Sequence, residues 1–288
     1  MTHGTSRRTT LTDMTNNNPD KSVMGDGAES HLPITDSCQE SSGKSYPENA
    51  HESYVRGNML EIKPIAVFRS PFTSKFGIPR QSGIADEIEG DIILLPPYDR
   101  PEATRGIEGF THLWVIWGFS GNRTPSTGKN EAPSLTVRPP RLGGNERVGV
   151  FASRSPFRPN GLGLSCVRLR SACDGVLTIA GADMMDGTPI YDIKPYVAYG
   201  DCHPEAVCGF ADNVEWKRLE VRFAEHHRRL FTPSQAEAIL AALREDPRPQ
   251  YHRDPERVYG MPFAGYDIRF KVNGNIAVIT DIIKEKKM

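Results

Sequence analysis

Apolar positions are scattered singly through the first 58 residues, among Ser, Asn, Asp, Gly and Thr. Neither a helical nor a strand period holds there, so residues 1–58 are expected to form a disordered tail. Met59 stands directly ahead of the first patterned stretch and resembles a translation start, which would make the tail dispensable. From Glu61 onward most signals are those of strands. "IKPIAVFRS" (Ile62–Ser70) alternates and carries β-branched and aromatic residues. "DIILLP" (Asp91–Pro96) is a short buried-type run stopped by Pro96-Pro97, and "FTHLWVIWGF" (Phe110–Phe119) is apolar nearly throughout, as expected of a strand buried on both faces. "RVGVFAS" (Arg147–Ser153), "LSCVRLRSA" (Leu164–Ala172) and "GVLTIAGADM" (Gly175–Met184) add three more, and "RPEATRGIEG" (Arg100–Gly109) reads as a helix between strands. Many short strands separated by turn signals predict a mainly β fold, a closed or nearly closed barrel or a sandwich.

The pattern changes after Pro204. "VEWKRLEVRF" (Val214–Phe223) predicts a strand, and "TPSQAEAILAALRED" a helix that Thr232 caps, with Pro233 at its first position and Gln235 at its third. "GYDIRFKV" and "NIAVITDII" flank Asn273-Gly274, a strong hairpin signal. The expected organisation is therefore a tail (1–58), a β domain (59–204) and a small α+β C-terminal domain (205–288).

Composition narrows the function classes. The chain has 38% hydrophobic and 25% charged residues and a formal net charge of −1. Attraction to nucleic acid would thus need a local basic face. No apolar run approaches the ~20 residues of a membrane span. No apolar segment follows Arg7 and Arg8, so no secretory signal is read and a cytoplasmic setting is expected. The five cysteines form no C-x-x-C pair and are expected to be free thiols; Cys202-His203 with Cys208 fits no standard zinc spacing, and no metal is expected. "NGLGLS" (Asn160–Ser165) suggests a dinucleotide loop, but the alternating "SCVRLR" after it is a strand rather than the helix that such a loop must open. No P-loop, G-x-S-x-G or H-E-x-x-H occurs, which removes NTPase, hydrolase and zinc-protease readings. His112, within a strand beside Trp114, reads as a satisfied core or rim histidine rather than a base.

Four loops combine backbone-restricting and polar residues: Phe76–Gly83, Thr136–Gly163, Asp186–Tyr196 and Glu245–Gly260. The second holds five arginines, one glutamate and no lysine. Proline lowers the entropy lost on ordering, glycine admits close backbone approach, and arginine offers a planar fork for carboxylates and phosphates. Any one such loop can simply connect strands; the recurrence of the pattern points to binding chemistry.

"AVFRSPFTSKFGIPRQSG", "RGIEGFTHLWVIW", "TVRPPRLGGNERVGVFASRSPFRPNGLGLS", "DGTPIYDIKPY" and "DPRPQY" resemble, in this order, the TsaA-like (YaeB/VirR) family of S-adenosylmethionine-dependent tRNA methyltransferases. The resemblance runs from about Leu60 to near the C-terminus. It implies a single-sheeted β-barrel rather than a Rossmann fold, a homodimer, and methyl transfer to N6 of N6-threonylcarbamoyladenosine beside the anticodon of threonine tRNA. It also implies S-adenosylmethionine contacts at Pro79, Arg80, Gln81, Arg154, Leu164, Asp186, Gly187, Thr188 and Pro189. Ser120 and Gly121 stand where members can carry a histidine-containing pair, which leaves a backbone contact as the implied one.

Either Arg80 or Arg154 could pair with the donor's carboxylate, and Asp186 is a candidate proton acceptor or a turn-forming residue. Arg138, Arg141, Arg147, Arg158 and Lys194 suit the backbone and bases of an anticodon loop, with Arg248, Arg253, Arg257, Tyr251 and Tyr259 extending that surface. Two alternatives stand beside this reading: a non-catalytic RNA-binding or regulatory module on the same barrel, and methyl transfer to a different acceptor.

Overall fold

A computed structural model describes residues 61–119, 135–139, 146–212, 217–249, 252 and 254–285. The expected tail, the proposed start at Met59, Ser120, Gly121, Arg141, Tyr251 and Arg253 lie outside the described residues.

Alternation builds the first sheet. In β1 (Ala66–Arg69) Ala66 and Phe68 are buried while Val67 and Arg69 face outward, and β2 (Glu89–Leu94) buries Ile92 and Leu94. β3 (His112–Gly118) alternates too: Leu113, Val115 and Trp117 are buried, whereas His112, Trp114 and Ile116 are only half-buried. The expectation of burial on both faces is corrected here, because the outer aromatic Trp114 packs at the surface against Tyr196, ring centroids 5.9 Å apart. "RVGVFAS" gives no long strand. A two-residue β4 (Thr136–Val137) pairs with β5 (Val148–Gly149), and Val150–Ala152 turn in a 3-10 helix. β6 (Leu162–Cys173), β7 (Val176–Ala180) and β8 (Pro189–Pro195) complete this part of the chain. The last lies inside a segment whose Gly, Pro and Asp residues read as loop. The stretch "RPEATRGIEG" forms a four-residue helix, Pro101–Thr104, and a 3-10 turn, Ile107–Gly109.

Six of these strands close a barrel in the order β1-β2-β7-β6-β3-β8. All neighbours are antiparallel, and the barrel is closed by Ala66 opposite Ile190 and Val67 opposite Pro189. Its interior is filled by Phe68, Ile92, Leu113, Val115, Val167, Leu177, Ile179 and Ile190. Trp117 also lies inside, over Gly163, where an added Cβ would overlap the indole ring. Antiparallel closure sorts the connections. Those from β1 to β2 (70–88), β3 to β6 (119–161) and β7 to β8 (181–188) share one rim; those from β2 to β3 and β6 to β7 share the other.

Beyond the barrel, β9 (Glu220–Arg222), β10 (Tyr259–Phe263), β11 (Tyr266–Asn273) and β12 (Ile276–Lys284) form a sheet in the order β10-β11-β12-β9. The helix Pro233–Arg244 carries a full capping box: Thr232 accepts from the Gln235 N–H, and the Gln235 side chain accepts from the Thr232 N–H. The β11–β12 register pairs Asn273 with Ile276, so the two central turn residues are Gly274, at φ +59°, and Asn275. The turn sits one residue later than the Asn-Gly dipeptide suggests, with glycine supplying the positive φ at the first central position.

The two sheets share an interior. Phe72, Ala85 and Ile88 from the β1–β2 connection join a core formed by Ile239, Leu243, Met261, Phe263, Ile268 and Phe270. Phe72 meets Phe263 edge-on at 5.1 Å, and Phe76 stacks on Tyr259 and Phe270. Gly77, at φ +99°, leaves the space that the Met261 side chain fills.

A Gly163→Ala substitution should lower stability by about 1–3 kcal/mol, because the methyl must displace Trp117 within a filled barrel. Urea denaturation followed by tryptophan fluorescence would show a lower midpoint; an unchanged midpoint would mean that the ring has room to move.

Candidate cofactor and nucleic-acid site

The rim shared by the connections 70–88, 119–161 and 181–188 gathers three of the four loops singled out in the sequence. In the first, Pro79 is buried, while Arg80 is exposed and donates from Nη2 to the carbonyls of Asp246 (3.3 Å) and Arg248 (3.0 Å). The fourth loop is thereby drawn to the first. Gln81 accepts a hydrogen bond from Arg154 Nη1 at 2.8 Å, which joins the first loop to the arginine-rich one. Ser82 Oγ accepts from the Cys166 N–H (3.1 Å), and the Gly83 N–H donates to the Gly181 carbonyl (2.8 Å), so the loop is pinned to β6 and to the end of β7.

The Asp186–Pro189 turn is held from β1. Asp186 Oδ1 accepts from the Ser70 N–H at 3.1 Å, and Oδ2 lies 3.5 Å from Arg69 Nη1. Both carboxylate oxygens therefore face groups of β1 and the residue after it, a turn-holding arrangement. Thr188 is 1% exposed, and its hydroxyl donates to the Met185 carbonyl. Gly187 differs: it is exposed, at φ +77°, and an added Cβ would meet nothing within 4 Å. Its N–H donates to the Phe68 carbonyl at 2.9 Å, so the turn offers open space above its Cα, suited to the approach of a flat ring, rather than a spare backbone donor. Leu164 is 56% exposed on the outer face of β6.

The basic residues divide. Arg138 and Arg147 are exposed, and Arg147 Nη1 donates to Thr136 Oγ1 across the β4–β5 ribbon. Arg158 folds inward, donating to the Ser153 carbonyl at 2.5 Å with its guanidinium 6.0 Å from the Phe151 ring centroid. With Phe151, Pro159, Asn160 and Leu162 it lines a cavity of about 210 Å³. Lys194 is not brought to this rim; it pairs with Trp114 toward the far end of β3 and lies 2.7 Å from Asp192. The fork of Arg248 is held by Asp246, at 2.7 and 2.8 Å, which raises its pKa. Tyr259 does not extend an RNA surface, because it is 6% exposed and packed on Phe76 and Phe270. His112 accepts or donates at Nδ1 with Thr111 Oγ1, at the opposite end of β3 from this rim. Cys166, Cys173, Cys202 and Cys208 are free, and no three potential metal ligands cluster among the described residues. No described helix is long and apolar enough to cross a membrane.

Sequence reasoning missed Asp183. Trp117 Nε1 donates to the fully buried Ser165 Oγ at 2.8 Å, and Ser165 Oγ donates in turn to Asp183 Oδ1. Burial pushes the Asp183 carboxyl above its usual range. The bond from Ser165, its own backbone N–H, the charge of Arg154 and the Ser82 backbone pull in the other direction without cancelling it. The available signal was a carboxylate set in the apolar run Ala180–Met185.

Comparison with known proteins places this geometry in context. The profile of the tRNA-methyltransferase O N-terminal domain matches residues 67–202, and that of the TrmO C-terminal domain residues 213–285. The tRNA (adenine(37)-N6)-methyltransferase of Escherichia coli is 37% identical over 225 residues, covering 74% of this chain and 93% of the relative. RcsF of Pseudomonas aeruginosa, assigned to the S-adenosylmethionine-dependent methyltransferases, is 42% identical over 216 residues, covering 73% of this chain and 91% of the relative. The crystal structure of TrmO from Pseudomonas aeruginosa aligns with a TM-score of 0.62 at 34% identity, over 78% of this chain and 99% of that one.

Ser165→Ala should cost about 1–3 kcal/mol of stability, since it strands the buried Trp117 N–H and removes a donor from Asp183. Equilibrium denaturation at neutral pH checks this; a loss well under 1 kcal/mol would show that the bridge is dispensable.

Proposed function

Because this chain belongs to the tRNA-methyltransferase O family, we propose that it transfers a methyl group from S-adenosylmethionine to N6 of N6-threonylcarbamoyladenosine, the base beside the anticodon of threonine tRNA. The observation that carries the reading is the meeting of three loops on one rim of a closed barrel, the two arginine-bearing ones joined by the Arg154–Gln81 bond. The names of the relatives support the donor, the tRNA and the adenine N6.

The residues suit the donor. Arg154 is exposed and keeps most of its fork clear of Gln81, so it is the better partner for the donor's carboxylate; Arg80 is tied to two carbonyls. The open space at Gly187, flanked by Asp186, Thr188 and Pro189, would seat the adenine ring, with Pro79, Gln81 and Leu164 bounding the site and Ser120 and Gly121 as further proposed contacts. When bound, the donor supplies an electrophilic methyl carbon on a sulfonium. The acceptor N6 is flanked by a carbonyl, so its lone pair is delocalised and the chain's main contribution is in-line placement on a rigid rim. Asp186 acts through the turn it holds rather than as a free base.

Exposed Arg138 and Arg147, together with Arg141, would meet RNA phosphates. Arg158 would meet bases from its place beside Phe151. Arg248, whose carbonyl takes a bond from Arg80, and Tyr251 would extend this surface, while Lys194 would act from toward the other end of the barrel. On this reading residues 59–204 are the methyl-transfer unit and 205–288 an RNA-contacting one. We further propose a homodimer acting in the cytoplasm. Phe151 and Phe157, 77% and 70% exposed, supply apolar surface for a second copy.

Labelled S-adenosylmethionine offered to tRNA from cells that make the threonylcarbamoyl modification should label it, while tRNA from cells lacking the modification should stay unlabelled. Equal labelling of both pools would eliminate the proposed acceptor; binding of donor with labelling of neither would favour a non-catalytic module. Arg154→Ala should weaken donor binding by about 1–3 kcal/mol in calorimetry. Unchanged affinity would remove Arg154 from the site.

A further inference from the structure

The first loop faces two ways. Phe72 lies in the core shared with the C-terminal sheet, and Phe76 and Ile78 pack against that core. Arg80 then donates from Nη2 to the carbonyls of Asp246 and Arg248, at 3.3 and 3.0 Å, while Gln81 next to it receives Arg154 Nη1 at 2.8 Å. The receiving end is shaped for a cation. The helix Pro233–Arg244 stops at Glu245, and Asp246 follows at φ +46°, its N–H donating to the Leu243 carbonyl. The Asp246 carboxylate holds the Arg248 fork at 2.7 and 2.8 Å and also accepts from the Arg248 N–H at 3.3 Å. This closed turn brings two carbonyls to one nitrogen, just past a helix end where backbone oxygens favour positive charge. Stability does not account for the bond. Phe72 and Phe76 already seat the first loop on the C-terminal core, and Arg80 is exposed, where charged contacts add little. What the bond fixes is the position of the fourth loop against the rim that carries Arg154.

We propose that Arg80 is a positioning residue for tRNA rather than a contact for the methyl donor: its guanidinium holds the Asp246–Arg248 turn at the rim, so that the fourth loop meets RNA beside the donor site. The RNA part rests on the reading of the fourth loop given above; the hold on the turn does not. The family resemblance places Arg80 among the donor contacts, but its side chain is turned to the fourth loop. Arg80 acts through the backbone of residues 246–248, and the donor's carboxylate is left to Arg154.

The test is Arg80→Met in the full-length protein, which keeps a long apolar stem and removes the donors. It should melt near the wild-type temperature, because the replaced group is exposed. Affinity for S-adenosylmethionine, measured by calorimetry without RNA, should stay within about twofold of wild type. The KM for threonylcarbamoylated tRNA should rise by roughly three- to tenfold, with kcat at saturating tRNA little changed, as when binding rather than chemistry is lost. In the RNA-free protein, hydrogen exchange at the Arg248 amide should quicken, because the turn loses its outer restraint. Arg80→Lys returns donors to the same carbonyls and should recover part of both changes. A clear loss of donor affinity would make Arg80 a donor contact, and an unchanged KM would make its bonds a surface contact without consequence. A raised KM with unchanged exchange at Arg248 would mark a direct phosphate contact. Each of these three results overturns the proposal. If the wild type methylates no tRNA, the functional reading falls and the RNA role with it; exchange at Arg248 in the two variants then decides the hold on the turn by itself.

Discussion

Closure of the barrel through the short β1–β8 pairing is the constraint on which the rest depends. Two register pairs, Ala66 with Ile190 and Val67 with Pro189, turn an open antiparallel sheet into a ring. Once the ring is closed, every hairpin must emerge at one end or the other, and the chemistry-bearing connections all emerge at the same end. The site is thus a consequence of topology before it is a consequence of any side chain. A filled interior follows from the same closure: six strands leave space for apolar side chains and none for a lumen, so binding is confined to the rim.

On that rim, polar bonds do the aligning. Arg80 reaches across to the carbonyls of Asp246 and Arg248, Arg154 to Gln81, and Asp186 to the end of β1. Each bond ties residues distant along the chain, and each restrains a loop that proline and glycine have already stiffened or shaped. Below them the Trp117–Ser165–Asp183 chain carries hydrogen bonding from the barrel interior to the loop surface.

What could be read from the sequence was what is local. The capping box of Thr232 and Gln235 spans four residues and formed as the spacing implied. The period-two patterns at Ala66–Arg69 and Val176–Ala180 gave strands, and the mainly β barrel with a small C-terminal sheet and helix follows from them. Where turn residues and strand residues share a segment, legibility failed. Pro189–Pro195 pairs with both β1 and β3, yet its prolines and aspartate read as loop. The hairpin glycine at 274 was visible while the register that sets its place in the turn was not, because register depends on the bulge at Arg269/Phe270 as well as on the dipeptide. At the site, residue types flagged the loops, but the tying of Arg80 and Arg248 and the burial of Tyr259 come from partners in other elements. Asp183 escaped notice for the same reason: a carboxylate three residues before another draws no attention until Ser82, Arg154 and Ser165 are seen around it.

The insertion of Phe72 and Phe76 into the C-terminal core also bears on how such a protein can be inherited. A strand-closed ring looks like a part that recombination could lift out and reuse. Here it is not, because a break between Cys202 and Glu220 would strip Phe72, Ala85 and Ile88 of their neighbours and bare them to water. The heritable piece is the ring together with its companion sheet.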